Sequence, residues 1–225
     1  MERPSSGELV AAHIRRLVIT GEYRSGERVR QDEIAAELGV SRIPVREALI
    51  ALEREGWVTV EPHRGAFVNG LDADFVTDHF ELYGAIVGLM AQRCVERADD
   101  DAVARVVADA ARVVDAPTDP ETFNDLTYRY VEALEWAAAA PRLTSMTKVM
   151  SNLYPGNFFA EVPGAMEVQR EGVAAIAAAV ADRDAERAWA ECERLLRRHG
   201  EVLTVALEAR GVLDPNGPAS VDTAG

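Results

Sequence analysis

Two arginines, Arg42 and Arg46, are four positions apart in the chain, so a helix would place them one turn apart on one face. An arginine offers two parallel N–H donors, which match the O6 and N7 acceptors of guanine in the DNA major groove. The alternatives are a solvated helix face, or an ion pair of Arg46 with Asp32 or Glu47. Both arginines lie off the apolar stripe of their segment, so we favour contacts with DNA. That stripe consists of Val45, Ala48, Leu49 and Leu52.

The elements that would position these arginines are two short helices joined by a tight turn. Gly39 stands where a helix needs a left-handed residue at its C-terminal end. Ser41 can then cap the second helix by accepting a hydrogen bond from its free N–H groups. Pro44 falls in the first turn, where a missing N–H costs nothing, and Gly56 ends the helix. The first helix is expected to bury Ile34, Ala35 and Leu38.

Residues that favour β-strands follow in two runs, 57–60 and 66–68, on either side of a turn that contains Gly65. The pattern predicts a two-stranded hairpin beside the two helices, and this combination is a winged helix-turn-helix. A helix over residues 6–20 is predicted to precede this unit, and residues 21–28 are predicted to link the two. The apolar face of that helix is expected to comprise Leu9, Ile14, Leu17 and Val18.

Three stretches of this region resemble the winged helix of the GntR family of bacterial transcription regulators: 38–49 (LGVSRIPVREAL), 52–57 (LEREGW) and 64–68 (RGAFV). The resemblance covers about residues 6–69 and implies a double-stranded DNA operator as the partner. The residues to which it assigns contacts with DNA are Arg30, Gln31, Ser41, Arg42, Ile43, Pro44, Arg46, His63, Arg64 and Gly65. The alternative is a sensor or scaffold protein that uses its winged helix for protein contacts.

Charge is divided unevenly along this chain of 225 residues, whose net charge is −14. Residues 1–70 carry 10 basic and 11 acidic side chains, a net charge of −1. Residues 71–225 carry 14 and 27, a net charge of −13. A nearly neutral domain can bind DNA if its arginines cluster on one face, because phosphate contacts are local and screened by salt. The sequence therefore predicts weak non-specific binding that salt removes.

The remainder of the chain has the apolar periodicity of helices, so the predicted fold is mainly α, with a C-terminal antiparallel α-helical bundle behind the winged helix. The expected divisions are 1–70, 71–212 and a disordered tail at 213–225. We expect no membrane span and a cytoplasmic protein, with Cys94 and Cys192 as buried free thiols. The helices are predicted over about residues 75–98, 101–114, 121–138, 142–153, 168–181 and 185–210.

This helical part resembles the FCD domain of the FadR subfamily, with its best anchors at residues 81–83, 133–134, 141 and 184–188. Many members of that subfamily bind a divalent metal inside the bundle through one aspartate and three histidines. The alignment places Thr127, Val131, Val173 and Leu195 at those four positions. Aliphatic side chains have no lone pair for a metal, so we predict neither a metal nor another cofactor.

The same resemblance implies an effector pocket in the bundle. Ile86 and Met90 stand where family members often carry an arginine and a glutamate, so a bidentate anchor for a carboxylate effector is missing. We therefore expect a mainly apolar effector or none, and the alternative is an ordinary core without a cavity. His199 could line the pocket, although a place on a helix flank is favoured. The expected lining comprises Tyr83, Ile86, Met90, Thr127, Tyr128, Val131, Val173 and Leu195.

These observations favour a homodimeric, ligand-responsive repressor. Two recognition helices would read a palindromic operator with half-sites about 34 Å apart. Effector binding would weaken operator binding only if the effector prefers one arrangement of the dimer. An enzyme is disfavoured, because Glu132 and Glu135 have no paired histidine or nucleophile in the sequence pattern and would form a solvated helix face.

Overall fold

The computed structural model describes residues 5–151, 153–154 and 156–213. These residues form two compact units. The first contains residues 5–75 with 153–154, 156 and 207–213, and the second contains residues 76–151 and 157–206. The predicted fold class, a winged helix-turn-helix followed by a helical bundle, is confirmed.

The first unit begins with three helices and a two-stranded hairpin: α1 (Ser6–Ile19), α2 (Gln31–Glu37), α3 (Arg42–Arg54), β1 (Val58–Glu61) and β2 (Gly65–Val68). The strands are antiparallel, and Val58 pairs with Val68. Helix α1 starts with a reciprocal cap. The Glu8 N–H donates to Ser5 Oγ at 3.2 Å, and the Ser5 N–H donates to the Glu8 carboxylate at 2.6 Å.

The turn between α2 and α3 follows the prediction in its backbone but not in its cap. Gly39 has a φ of 64°, the left-handed conformation expected of it. Ser41 is the N-cap residue of α3, but its side chain accepts no hydrogen bond from the helix, contrary to the prediction. On α1, Leu9 is 52% exposed, so it does not belong to the core; the other three predicted residues, Ile14, Leu17 and Val18, are buried.

Residues 26–29, which were expected only to link helices, pair with the second wing strand. The N–H of Gly26 donates to the carbonyl of Val68 at 2.8 Å, and the N–H of Val29 donates to that of Ala66 at 2.8 Å. Arg28 forms an isolated antiparallel bridge with Phe67. This pairing fixes the base of the wing to the segment that leads directly into α2.

A buried ion pair holds α1 against the end of α3. Arg15 is only 6% exposed, and its Nε donates to the Glu55 carboxylate at 3.2 Å. The guanidinium also lies 6.0 Å from the centre of the Trp57 ring. A buried charge needs such partners, because removing it from water is costly.

The second unit is helical. Its helices are α4 (Ala73–Arg97, which begins in the first unit), α5 (Asp100–Val114), α6 (Pro120–Ala138), α7 (Pro141–Met150), α8 (Phe158–Glu161), α9 (Ala165–Ala181) and α10 (Ala185–Ala209, which ends in the first unit). Asp119 caps α6 by accepting from the Thr122 N–H at 2.9 Å. Four-residue α8 was not predicted, and α7 ends three residues earlier than predicted. The tail expected at 213–225 lies outside the described residues except for Leu213, which bridges with Leu71.

Helices α4 and α10 pack antiparallel at close range through two glycines of α4. A Cβ at Gly84 would lie 3.2 Å from the Cα of Glu193, and one at Gly88 would lie 3.2 Å from the Trp189 ring. Cys94 and Cys192 are buried free cysteines, as predicted. Burial raises the pKa of both thiols, that of Cys94 to about 11, so both remain protonated and unreactive at neutral pH.

Candidate functional site

The first turn of α3 presents an exposed face with two arginines. Arg42, Ile43 and Arg46 are exposed, and Ile43 is 68% accessible to solvent. The predicted stripe of Val45, Ala48, Leu49 and Leu52 is buried on the other side. A large exposed aliphatic residue between two guanidinium groups is unfavourable in water but suits a groove that offers thymine methyl groups and guanine acceptors. Ser41 is exposed beside them, and Pro44 is half-buried.

Asp32 of α2 pairs with Arg42, whereas the sequence had suggested Arg46 as its possible partner. The Arg42 Nε lies 2.7 Å from Asp32 Oδ1. Arg46 makes no ion pair within the described part of the chain. The structure thus brings Arg42 next to the start of α2, where Gln31 and Arg30 lie. Arg30 pairs with Glu33 at 3.3 Å, and its backbone N–H donates to the Tyr23 hydroxyl at 3.2 Å.

The wing tip is built on a glycine that no other residue can replace without strain. Gly65 has a φ of 112°, and a Cβ there would lie 2.9 Å from Nε of Arg28. His63 has a φ of 63° and is exposed, as is Arg64. The Arg64 side chain pairs with Glu61 and lies 5.5 Å from the centre of the Phe67 ring.

Arg28 was missed as a site residue. It is exposed beside β2, with its guanidinium next to Gly65, and extended backbone is expected to place it on the same side as Arg30, two residues later. The alternation of side chains in extended backbone is the signal that could have found it. Residues 26–29 pair with the wing and lead into α2, and Asp32 of α2 pairs with Arg42. These contacts link the wing and the segment of Arg28 and Arg30 to the start of α3.

A second candidate site is a cleft along α6 in the helical bundle, with a volume of about 150 Å³. Four of the eight predicted pocket residues line it: Tyr83, Thr127, Tyr128 and Val131. The other four lie outside it. Met90, Val173 and Leu195 are buried, and Ile86 is half-buried. The remaining lining residues, which sequence reasoning did not place in the pocket, are Asn124, Glu132, Glu135, Thr147, Lys148 and Ser151.

The α6 cleft is more polar than predicted. Thr147 donates to the Glu135 carboxylate at 2.7 Å. Burial, and secondarily the charge of Glu135, raises the pKa of Tyr83 to about 12, so this phenol stays protonated and can donate a hydrogen bond. The Thr127 hydroxyl is buried, and no described residue hydrogen-bonds to it. The spacing of residues 124, 127, 128, 131, 132 and 135 is one helical stripe, which is the signal that could have placed both glutamates in the cleft.

The positions aligned with metal ligands do not fit a metal ion. Val131, Val173 and Leu195 carry no donor atom, and Thr127 alone is a weak ligand. A Cβ at Gly172 would lie 2.5 Å from Leu195 Cδ1, so α9 and α10 are in tight contact at this level. Within residues 5–151, 153–154 and 156–213, no group of three or more His, Cys, Asp or Glu side chains could hold a metal.

His199 is not on a helix flank, contrary to the prediction. Its side chain is buried, and the ring centre lies 5.2 Å from that of Phe158 and 6.3–6.4 Å from those of Phe159 and Phe80. Burial lowers the pKa of His199 to about 4, and a hydrogen bond with the Ala165 backbone opposes this effect more weakly. The imidazole is therefore neutral at physiological pH and acts as part of an aromatic cluster.

The depressed pKa of His199 predicts a loss of stability in acid. The folded value of about 4 lies below the ordinary 6.5, so the stabilising contribution is complete above about pH 6.5 and is lost as the pH falls towards 4. Over that window each histidine of this kind lowers the free energy of unfolding by up to about 1.4 kcal/mol per pH unit. Urea unfolding from pH 7.5 to 4.5 should show a shallower decline for His199→Phe than for the unchanged protein. Parallel declines would contradict the assignment.

Comparison with known proteins agrees with this architecture. Residues 7–68 match the family "Bacterial regulatory proteins, gntR family", and residues 78–199 match the "FCD domain". An uncharacterized HTH-type transcriptional regulator of Mycobacterium tuberculosis is 31% identical over 206 residues, which cover 92% of this chain and 84% of that protein. The gluconate operon transcriptional repressor of Bacillus subtilis is 32% identical over 96 residues, which cover 43% of this chain and 39% of that protein.

The fold recurs in the solved structure of E. coli McbR/YncC, with a TM-score of 0.59, 18% identity, and coverage of 89% of this chain and 98% of that one. Each described helix is too short or too polar to cross a lipid bilayer. Both matched families are those of DNA-binding regulators and not of enzymes, as predicted. The match of the FCD domain to more than half of the chain, together with the long alignment to the mycobacterial regulator, places this protein in the GntR family of bacterial transcription regulators, with an FCD domain behind its winged helix.

Proposed function

We propose that the protein is a homodimeric repressor that binds a palindromic operator in the cytoplasm through the first turn of α3. The observation that carries this proposal is the exposed set of Arg42, Ile43 and Arg46 at the N-terminus of a helix whose other side is fully buried. A helix N-terminus also offers free backbone N–H groups to phosphate. The remaining proposed contacts come from Ser41 and Pro44 of this turn, Arg30 and Gln31 before it, and His63, Arg64 and Gly65 of the wing.

The proposed dimer follows from the small number of bases that one winged helix can contact, and the proposed repression follows from similarity to a named repressor. One winged helix offers few base contacts, so a palindrome read by two copies about 34 Å apart is the usual way to reach specificity. The similarity to a protein named as a repressor of the gluconate operon favours repression over activation. The net charge of −13 over residues 71–225 favours an arrangement in which only the winged helices approach DNA.

Anisotropy of a fluorescent duplex, selected by the protein from a random pool, tests this function. We expect a palindromic site, binding that weakens steeply with salt, and a complex whose mass by light scattering contains two chains per duplex. A single chain per duplex would contradict the dimer. Failure to select any sequence would favour the alternative, a sensor or scaffold protein that uses its winged helix for protein contacts.

The effector of the α6 cleft is proposed to be a small molecule with an apolar body and a cationic or donor group. Val131 and the rings of Tyr83 and Tyr128 supply apolar surface, although the sequence had suggested the two tyrosines only as polar edges. Glu132 and Glu135 supply carboxylates whose negative charge a purely apolar effector would shield from water. A volume of about 150 Å³ suits a small molecule. These carboxylates favour a small amine over the mainly apolar effector that the sequence predicted.

Thermal shift with 2-phenylethylamine and with 3-phenylpropionate tests this chemistry. The amine should raise Tm more than the acid, because the described lining of the cleft carries two carboxylates and only one ammonium group, that of Lys148. Glu135→Gln should weaken amine binding about tenfold or more, since a hydrogen bond to a charged group is lost. Glu121→Gln, on the exposed start of the same helix and outside the cleft, is the matched control and should change nothing. Equal shifts from amine and acid would contradict the proposed effector class.

A further inference from the structure

We infer that Asp32 is a positioning residue that orients Arg42 for guanine and so sets the base preference of the recognition helix. This inference rests on the proposed function, because it assumes that α3 lies in the major groove. It concerns a carboxylate on the DNA-facing side of the winged helix, which at first sight should oppose binding to a polyanion.

The contact between Asp32 and Arg42 joins two different helices. Asp32 is the second residue of α2, and Arg42 is the first residue of α3. The carboxylate approaches the guanidinium through Nε, with Nε and Oδ1 at 2.7 Å. Within the described residues, neither terminal nitrogen of Arg42 donates a hydrogen bond. The end of the guanidinium that carries two parallel donors is therefore left for the O6 and N7 atoms of guanine.

Stability does not explain this pair. The side chains of Arg42 and Asp32 are 68% and 70% exposed, and ion pairs at such exposure contribute little to the free energy of folding. Asp32 also carries a negative charge towards the phosphates, which must weaken sequence-independent binding. Asp32 adds little stability and opposes general DNA affinity. It can still improve specificity, if it increases the difference in affinity between the correct site and incorrect sites.

Orientation of the Arg42 side chain increases the difference in affinity between the correct site and incorrect sites. An arginine side chain has many rotamers, and each must be lost when it forms a bidentate contact with one base. The ion pair with Asp32 restricts the rotamers of Arg42 before DNA binds and so reduces this loss. The other charged residues here differ: Glu33 pairs with Arg30, the residue that precedes its own helix, and Arg46 has no acidic partner among the described residues. Among the ion pairs of the described residues, that of Asp32 is the one that joins α2 to the recognition helix α3.

The test compares specific and non-specific binding by Asp32→Asn in the full chain. The duplexes are the site selected by the unchanged protein, a scrambled duplex, and copies of the site with 7-deazaguanine, which lacks the N7 acceptor, at one guanine at a time. Asp32→Asn should bind the scrambled duplex about threefold more tightly, since a charge near phosphate is removed. Its preference for the selected site should fall about fivefold or more, and the affinity lost on N7 removal at the Arg42 guanine should shrink.

Glu47→Gln is the matched control, because Glu47 is an exposed acidic residue of α3 that makes no ion pair with Arg42 among the described residues. It should strengthen binding to selected and scrambled duplexes equally. Asp32→Glu keeps the charge and should retain part of the preference. Because Asp32 is exposed, all variants should keep the far-ultraviolet circular dichroism of the unchanged protein.

Two outcomes overturn the inference. Equal strengthening of both duplexes by Asp32→Asn would show that Asp32 acts only through its charge. A selected site in which no guanine N7 affects binding would show that Arg42 does not read guanine. Both differ from failure of the proposed function itself, in which the unchanged protein selects no sequence from the pool.

Discussion

Arg42→Ala combined with Arg46→Ala should abolish sequence-specific binding while the protein remains folded. Each bidentate contact between an arginine and a guanine contributes about 1–3 kcal/mol of discrimination, so loss of two such contacts should weaken operator binding by about 30-fold or more. Both side chains are exposed, and Arg46 makes no ion pair within the described residues, so neither removal disturbs the core. The buried stripe that holds α3 in place is unchanged.

Anisotropy with the selected palindromic duplex measures this effect, and far-ultraviolet circular dichroism confirms the fold. Arg54→Ala is the matched control, because Arg54 is also an exposed arginine of α3 but lies in its last turn. It should weaken binding less than about threefold, as expected for the loss of a distant positive charge. Full affinity in the folded double variant would refute the contact assignment and favour the role of the winged helix in protein contacts.

Much of the winged helix could be predicted because its signals are local. Gly39 has the positive φ that its place after α2 indicated, and the four apolar positions of α3 are all buried. The prediction that the Ser41 side chain caps α3 was wrong, because residue spacing identifies the N-cap position but not the rotamer of the side chain there. The pairing of residues 26–29 with the wing and the ion pair of Arg15 with Glu55 join positions about forty residues apart. No periodicity within one helix or strand encodes such contacts.

The helical bundle shows the same division between local and distant information. Six of its helices were predicted from apolar periodicity, whereas four-residue α8 is too short to have a period. The burial of His199 depends on rings of α4 and α8, which lie far from it in the sequence. Four lining residues of the α6 cleft were predicted. The lining residues on α6 follow one helical stripe, but those on α7 depend on how that helix packs, which the sequence pattern does not show.

Gly172→Val should destabilise the bundle by about 3 kcal/mol or more. A Cβ at this position would lie 2.5, 2.8 and 2.9 Å from Cδ1, Cγ and Cβ of Leu195. Leu195 is buried, and overpacking of this kind strains rotamers and backbone. Leu195 is also one of the four positions that the family resemblance aligned with metal ligands. The predicted loss therefore tests whether this level of the bundle is a packed core or a chamber with room for a ligand.

Urea unfolding monitored by circular dichroism measures the loss, and Gly172→Ala provides a smaller step of about 1–2 kcal/mol if the valine variant does not fold. Combining Gly172→Ala with Leu195→Ala should cost less than the sum of the two single changes, because each relieves the contact that the other disturbs. Gly7→Ala is the control for helix propensity. Its Cβ would meet nothing closer than 3.7 Å, so it should stabilise the protein by up to about 1 kcal/mol. Similar stabilisation by Gly172→Ala would mean that space exists beside Leu195, and the bundle would then hold a cavity at the family's ligand position after all.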